Sequence, residues 1–192
     1  MSRSARVLAP SDVRRLLAHV RSGSYANRNT VLVLLSFRAG LRACEMAGMT
    51  WEMVTRPDGK FSDTVEVGDH IAKNGRARRI PLHPELRSAL VALRRIEGQR
   101  SGPVIRSQRG GHMTPRAVVN WFRAVYQDLG FAGCSSHSGR RTFITQSARL
   151  ITKAGGSLRD VQELAGHRAL TTTERYIEGD RDAQRRLVRL LL

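Results

Sequence analysis

Apolar residues recur at helical spacing along most of the chain. Val13, Leu16, Leu17 and Val20 fall on one face behind Pro10, and proline suits a first helical turn because no amide is needed there. The run TVLVLLSFRAG is apolar nearly all round, which predicts a buried helix ending near Gly40; LRACEMAGM predicts a short second one. From Trp51 to Leu82 the period changes. Val65 and Val67 alternate, and KNGRARRIPL sets an Asn-Gly pair ahead of Ile80-Pro81, predicting a small antiparallel sheet with a turn near residues 73–76. Helical spacing then returns. Pro84 opens a helix carrying Leu86, Leu90, Leu93 and Ile96, with Gly98 as its stop. Thr114-Pro115 opens another carrying Val118, Val119, Phe122, Val125 and Leu129, closed by Gly130. Ser135 or Ser136 is the expected cap of HSGRRTFITQSARL. Ser157 with Asp160 and Thr171 with Glu174 read as capping boxes for two further helices, the last of which carries Tyr176. The pattern predicts one mainly α domain over residues 1–192, with a small antiparallel β-sheet in its N-terminal third (α+β).

A chain of 192 residues can bury one good-sized core, or at most two small ones. It has no apolar run long enough for a bilayer, and MSRSARVLAPSDVRRLL lacks the unbroken apolar stretch of a secretory signal. Cys44 and Cys134 make no disulfide framework, which fits a reducing cytoplasm. Charge adds more. Thirty-three Lys+Arg stand against 16 Asp+Glu, a net +17, and such self-repulsion is tolerated best by a protein that works on a polyanion. The arginines are spread through the chain and not confined to one amphipathic helix, so nucleic acid fits better than a membrane surface. Low aromatic content, 5%, speaks against a base-stacking surface.

Chemistry on a phosphodiester needs a nucleophile, fixed cations on the phosphoryl oxygens and an acid for the leaving oxygen. Tyr176 is a candidate nucleophile, but a phenol with a pKa of about 10 needs help to ionise. Arg42 follows the glycine between two helices, and Glu45, three residues on, can hold its guanidinium. Lys73 sits at the expected turn. HSGRR places His137 and Arg140 on one side of a helix start, where amide dipoles favour anions, and His167 follows Gly166. Each residue alone has a plain structural reading: an ordinary ion pair, a solvated lysine, a surface pair, a capping histidine, a core tyrosine.

Order and flanking residues change that balance. AGLRACEM, KNGRARRIPL, HSGRRTF and LAGHRALTTTERY, taken together from LAPSDVRRLL to Ile177, resemble the tyrosine recombinase (phage integrase) family and its catalytic-domain fold. The resemblance implies six catalytic positions: Arg42, Lys73, His137, Arg140, His167 and Tyr176. It implies that Tyr176 attacks the scissile phosphate to form a 3′-phosphotyrosyl link while Arg42 and Arg140 hold the non-bridging oxygens. His167 would add a hydrogen bond, His137 would assist the tyrosine's proton, and Lys73 would protonate the departing 5′ oxygen. Neither metal nor other cofactor is implied. The partner that the resemblance implies is double-stranded DNA, and Arg76, Arg78, Arg79 and Arg141 are the expected contacts to its backbone. Two departures stand out. Glycine at position 139 replaces the family's usual leucine, without altering the histidine-to-arginine spacing. No N-terminal core-binding domain precedes the catalytic pattern, which suggests a single-domain member, a piece of a longer protein, or reliance on an accessory core-binding domain or protein.

The implied activity is site-specific recombination: integration, excision or inversion. A type IB topoisomerase-like relaxing activity and a non-catalytic DNA-binding regulator are the competing readings. The expected assembly is a monomer in solution and a tetramer on paired DNA sites. The tail 180–192, amphipathic through Leu187, Val188, Leu190 and Leu191, would dock on a neighbouring protomer. The expected setting is the cytoplasm of a bacterium, with the gene bacterial, phage or mobile-element borne.

Overall fold

The computed structural model describes residues 5–72, 75–176 and 188. In chain order its elements are α1 (Pro10–Ser22), α2 (Ala26–Arg38), α3 (Ala43–Ala47), β1 (Thr64–Val67), β2 (Arg78–Pro81), α4 (Pro84–Glu97), α5 (Pro115–Asp128), α6 (Ser138–Leu150), α7 (Leu158–Ala165) and α8 (Leu170–Glu174). Short 3₁₀ turns lie at Trp51–Met53 and Ile151–Ala154. The α+β expectation from the pattern of apolar positions is met.

Helix α2 is the centre of the fold. Every residue from Arg28 to Phe37 is buried, as a helix apolar on all sides requires. Helices α1, α4 and α6 pack around it, and α3 lies against α5. Full burial of side chains such as Leu16, Leu32 and Leu34 contributes roughly 1.5–3 kcal/mol each. Local signals fix the helix starts. Thr114 Oγ1 accepts from the Ala117 amide at 3.1 Å, and Asp160 accepts from the Ser157 amide at 2.7 Å, completing the capping box of α7. A second, smaller apolar cluster of Ile144, Val161 and Ala165 joins α6 to α7, with Phe143 and Tyr176 against it.

The strands pair antiparallel, Val65 with Ile80 and Val67 with Arg78. Alternation turns Val65, Val67 and Ile80 inward, while Glu66 and Arg79 form a 3.0 Å ion pair on the outer face. Arg78 has the same parity as Ile80 and therefore points into the protein. The expected turn falls partly on Lys73 and Asn74, which lie outside the described residues. The whole stretch 68–77 joins the strands, longer than a two-residue hairpin loop.

Three local expectations are corrected. Helix α6 starts at Ser138, behind His137, because Ser135 is drawn into a turn: its amide donates to Ser138 Oγ at 3.0 Å and its own hydroxyl accepts from the His137 amide. Helix α8 starts at Leu170 behind an extended Ala169, so Thr171 is not its cap. Ile96, expected on the buried stripe of α4, is exposed in the last turn of that helix. Among the described residues no helix is long and apolar enough to cross a membrane. The C-terminal tail expected to dock on a neighbour lies outside the described residues except for Val188, which is exposed.

Gly139 lets α6 approach α2. A Cβ there would stand 2.8 Å from Ser36 Cβ and 2.9 Å from the Phe37 ring, closer than packed carbons tolerate. Gly139→Ala should therefore cost about 1–3 kcal/mol despite alanine's better helix propensity. In urea the midpoint should fall at unchanged slope. An unchanged midpoint would mean that α6 slides to make room.

Candidate active site

Three chain segments converge between the two apolar clusters: the 39–45 corner, strand β2, and the region from α6 to α8. Arg42 is the N-cap residue of α3. Its backbone amide donates to Glu45 Oε2 at 2.8 Å and its guanidinium to Oε1 at 3.0 Å. Arg78 meets the same carboxylate from β2, in a two-pronged contact at 2.9 and 2.8 Å, and its Nε donates to the Leu164 carbonyl at 3.1 Å. Four hydrogen bonds thus fill the acceptor capacity of Glu45, which is fully buried. Burial pushes its carboxyl upward, but the bonds and charge of Arg78, and then those of Arg42, outweigh burial and hold it below the usual carboxylate range. Gly166, in the left-handed region at φ +64°, ends α7 beside Arg78; a Cβ there would come within 3.0 Å of Arg78 Cδ.

Arg140 lies in the first turn of α6 and is only 3% exposed. It donates to the carbonyls of Gly40 at 2.7 Å and Ala165 at 2.6 Å, and to His167 Nε2 at 3.0 Å. Among the described residues no carboxylate touches it. Burial, with the positive charges of Arg42 and Arg78, lowers its pKa to about 10, while Glu45 and Tyr176 oppose the shift. The guanidinium stays charged at neutral pH yet has no direct anionic partner among the described residues, so a small anion is the ligand it suits.

His167 is buried, and desolvation followed by the charges of Arg140, Arg42 and Arg78 lowers its pKa to about 4. The ring is therefore neutral under ordinary conditions. Gln162 secures the segment by donating to the carbonyls of His167 and Arg168 at 3.0 and 3.2 Å. Tyr176 follows α8, half-buried, with its ring stacked on His167 at 5.5 Å between centroids. Thr145 donates to the Tyr176 carbonyl at 3.2 Å, and Arg141 lies over the ring at 5.6 Å.

Arg42, Arg140, His167 and Tyr176 are thus gathered, with Glu45 beneath Arg42. His137 is exposed at the N-cap of α6, one turn ahead of Arg140 on the same helix start. Lys73 lies outside the described residues. The arginines following it separate in space. Arg76 and Arg79 are exposed, whereas Arg78 is turned onto Glu45 with its side chain only 6% exposed. All three line a cleft of about 570 Å³ between β2 and α7, together with Arg159 and His167. The positions of Arg78, Gln162 and Thr173 in this site are not marked by motif alone, although the parity of Arg78 with Ile80 signals that it points inward.

A helical body with a two-stranded sheet, carrying a phenol ring stacked on an imidazole that a buried guanidinium holds, is the fold of tyrosine recombinase catalytic domains. The chain belongs to the phage integrase family, whose model matches residues 6–182. It is 29% identical over 183 residues to the tyrosine recombinase XerC of Rhodospirillum centenum, covering 91% of this chain and 50% of that one. Against the XerC of Bradyrhizobium diazoefficiens it is 27% identical over 180 residues, covering 90% and 52%. The chain spans about half the length of these curated relatives. Among solved structures, the Tn1549 transposon integrase in complex with a circular intermediate DNA superposes with a TM-score of 0.76 at 16% identity, over 100% of this chain and 67% of that one. The XerA recombinase does so with a TM-score of 0.73 at 19% identity, covering 95% and 63%.

Proposed function

We propose that this domain cuts and rejoins double-stranded DNA as the catalytic part of a site-specific recombinase. The observation that carries the reading is the ring of Tyr176 stacked on His167, whose Nε2 stands 3.0 Å from Arg140, a buried guanidinium with no carboxylate partner among the described residues. A phosphodiester supplies the missing anion. Its non-bridging oxygens sit between Arg42 and Arg140, where fixed donors stabilise the charge that builds during in-line attack. Tyr176 attacks phosphorus, the phenolic proton leaves with help from His137, and the bond to the 5′ oxygen breaks. Lys73 protonates that oxygen, leaving a 3′-phosphotyrosyl link and a free 5′-hydroxyl. The link keeps the energy of the phosphodiester, so a 5′-hydroxyl from a second duplex reverses the step without ATP.

Arg76, Arg79 and Arg141 extend the positive surface toward neighbouring backbone phosphates, and Arg78 serves by orienting Glu45 and Arg42. Assembly of four protomers on paired DNA sites, with the tail 180–192 docking on a neighbour, belongs to the same reading. So does a cytoplasmic setting, supported by the bacterial sources of the relatives.

The test is adduct capture. Nicked duplexes tiled across the DNA flanking the gene are incubated with the protein and resolved under denaturing conditions. A retarded, protease-sensitive band from a defined site supports cleavage by tyrosine; a tiled set that yields none removes the proposal. Transfer of the trapped strand to a second labelled duplex distinguishes recombination from relaxation of the same strand, as a topoisomerase would perform it.

A further inference from the structure

Thr173 is fully buried on α8, and its hydroxyl stands 2.9 Å from Nδ1 of His167. The other ring nitrogen, Nε2, stands 3.0 Å from Arg140. A guanidinium has donors only, so Nε2 must accept from it. A neutral imidazole carries one N–H, which therefore sits on Nδ1 and points at the Thr173 oxygen. In this geometry the allocation is closed: Arg140 donates to His167, and His167 donates to Thr173.

That allocation opposes what a bound phosphate asks of the ring. To give a hydrogen bond to a phosphoryl oxygen, His167 must carry its proton on Nε2, and Nδ1 must then accept. A hydroxyl is the side-chain group that serves both states by rotating, because it accepts from Nδ1–H in one and donates to bare Nδ1 in the other. A carboxylate could only accept, and a methyl group does neither. Thr173 also belongs to the helix that leads into the phenol: the Tyr176 amide donates to the Thr173 carbonyl at 3.0 Å.

We propose that Thr173 is a positioning residue whose hydroxyl lets His167 exchange tautomers, accepting from Arg140 in the free protein and donating from Nε2 to the phosphoryl oxygen once DNA is bound. The exchange moves one proton from Nδ1 to Nε2 through water or the hydroxyl, with no net gain or loss. It also ties the imidazole to α8, so that the ring is aligned only while the helix leading to the tyrosine is seated. The inference rests on the recombinase reading for its second state, but its first state is a property of the free protein.

Nitrogen-15 NMR of the histidine ring in the free wild-type protein should show His167 protonated on Nδ1. Protonation on Nε2 would overturn the proposal whatever the protein's activity. Thr173→Val should then slow single-turnover formation of the phosphotyrosyl adduct about tenfold to a hundredfold, the worth of a hydrogen bond to a charged group, while DNA affinity stays within about twofold of wild type. Thr173→Ser should restore most of the rate. Cleavage by Thr173→Val at the wild-type rate sinks the idea, and so does a Thr173→Ser variant as slow as Thr173→Val. Should wild type form no adduct on any duplex, the recombinase reading fails separately, and the ring spectrum still decides the free-protein half.

Discussion

Tyr176→Phe is expected to leave the fold unchanged and to abolish the covalent protein–DNA adduct. The ring keeps its stacking on His167 and its place against the small α6–α7 cluster, so the substitution deletes only the hydroxyl. The thermal midpoint should stay within a few degrees of wild type, at about 4 °C or less per kcal/mol lost for a chain of this size. DNA binding should persist, because the guanidiniums remain. The other two tyrosines lie away from the His167 ring. Tyr126 is buried among Phe122 and Phe131, and burial raises its hydroxyl far above the ordinary phenol range. Tyr25 is exposed, with its ring under Arg28 at 4.4 Å, at the start of α2. Denaturing electrophoresis on a nicked duplex that traps wild type checks the expectation. An adduct formed by Tyr176→Phe would assign the nucleophile elsewhere.

The largest stability effect is expected at Arg78. Arg78→Ala leaves the buried carboxylate of Glu45 with Arg42 as its remaining cation. Breaking such a pair from one side typically costs about 3–5 kcal/mol, a large part of the roughly 5–15 kcal/mol that holds a domain together. Glu45→Gln in the Arg78→Ala background should recover part of the loss, because the stranded charge is then gone. If Arg78→Ala and wild type share the same urea midpoint, the pair is structurally idle.

The acid limb of stability follows from the same groups. Glu45 has a lowered folded pKa, so its contribution is present above the ordinary carboxylate pKa of about 4.3 and is lost as pH falls through the folded value. His167 is also lowered, to about 4 from 6.5, and stays neutral in the folded state while the unfolded ring takes up a proton. Its contribution is present above pH 6.5 and declines as pH drops toward 4. Wild type should therefore lose stability in two stages on acidification, His167 first. His167→Gln should shrink the upper stage, to which His83 also contributes, and Glu45→Gln the lower, as read from urea midpoints across that range.

Much of the architecture is legible along the chain because its causes are local. The apolar face of α1, the all-round apolarity of α2, the Thr114 and Ser157 caps and the glycine stop of α4 each depend on residues a few positions apart. The same holds for the alternation that sets β1 and β2, and for the Arg42–Glu45 contact, three residues apart. The α8 start was not legible as a capping box, because Thr171 sits inside the helix and its neighbour Thr173 faces His167. Nor could the run of arginines after Lys73 be divided from composition: Arg78 is enclosed with Glu45, 33 positions away, whereas Arg79 faces solvent.

Residue types, their order and their short-range periodicity suffice to name the helices, the sheet and the groups able to do chemistry. What those groups become is settled by partners distant in the chain. Arg140 finds its carbonyls at Gly40 and Ala165, 100 and 25 positions away, and these contacts aim it and exclude water. The protonation of His167, the saturation of Glu45 and the seat of Tyr176 depend on dielectric and distance between segments. Periodicity cannot carry that information, since it reports only which side of an element faces inward and not what waits there.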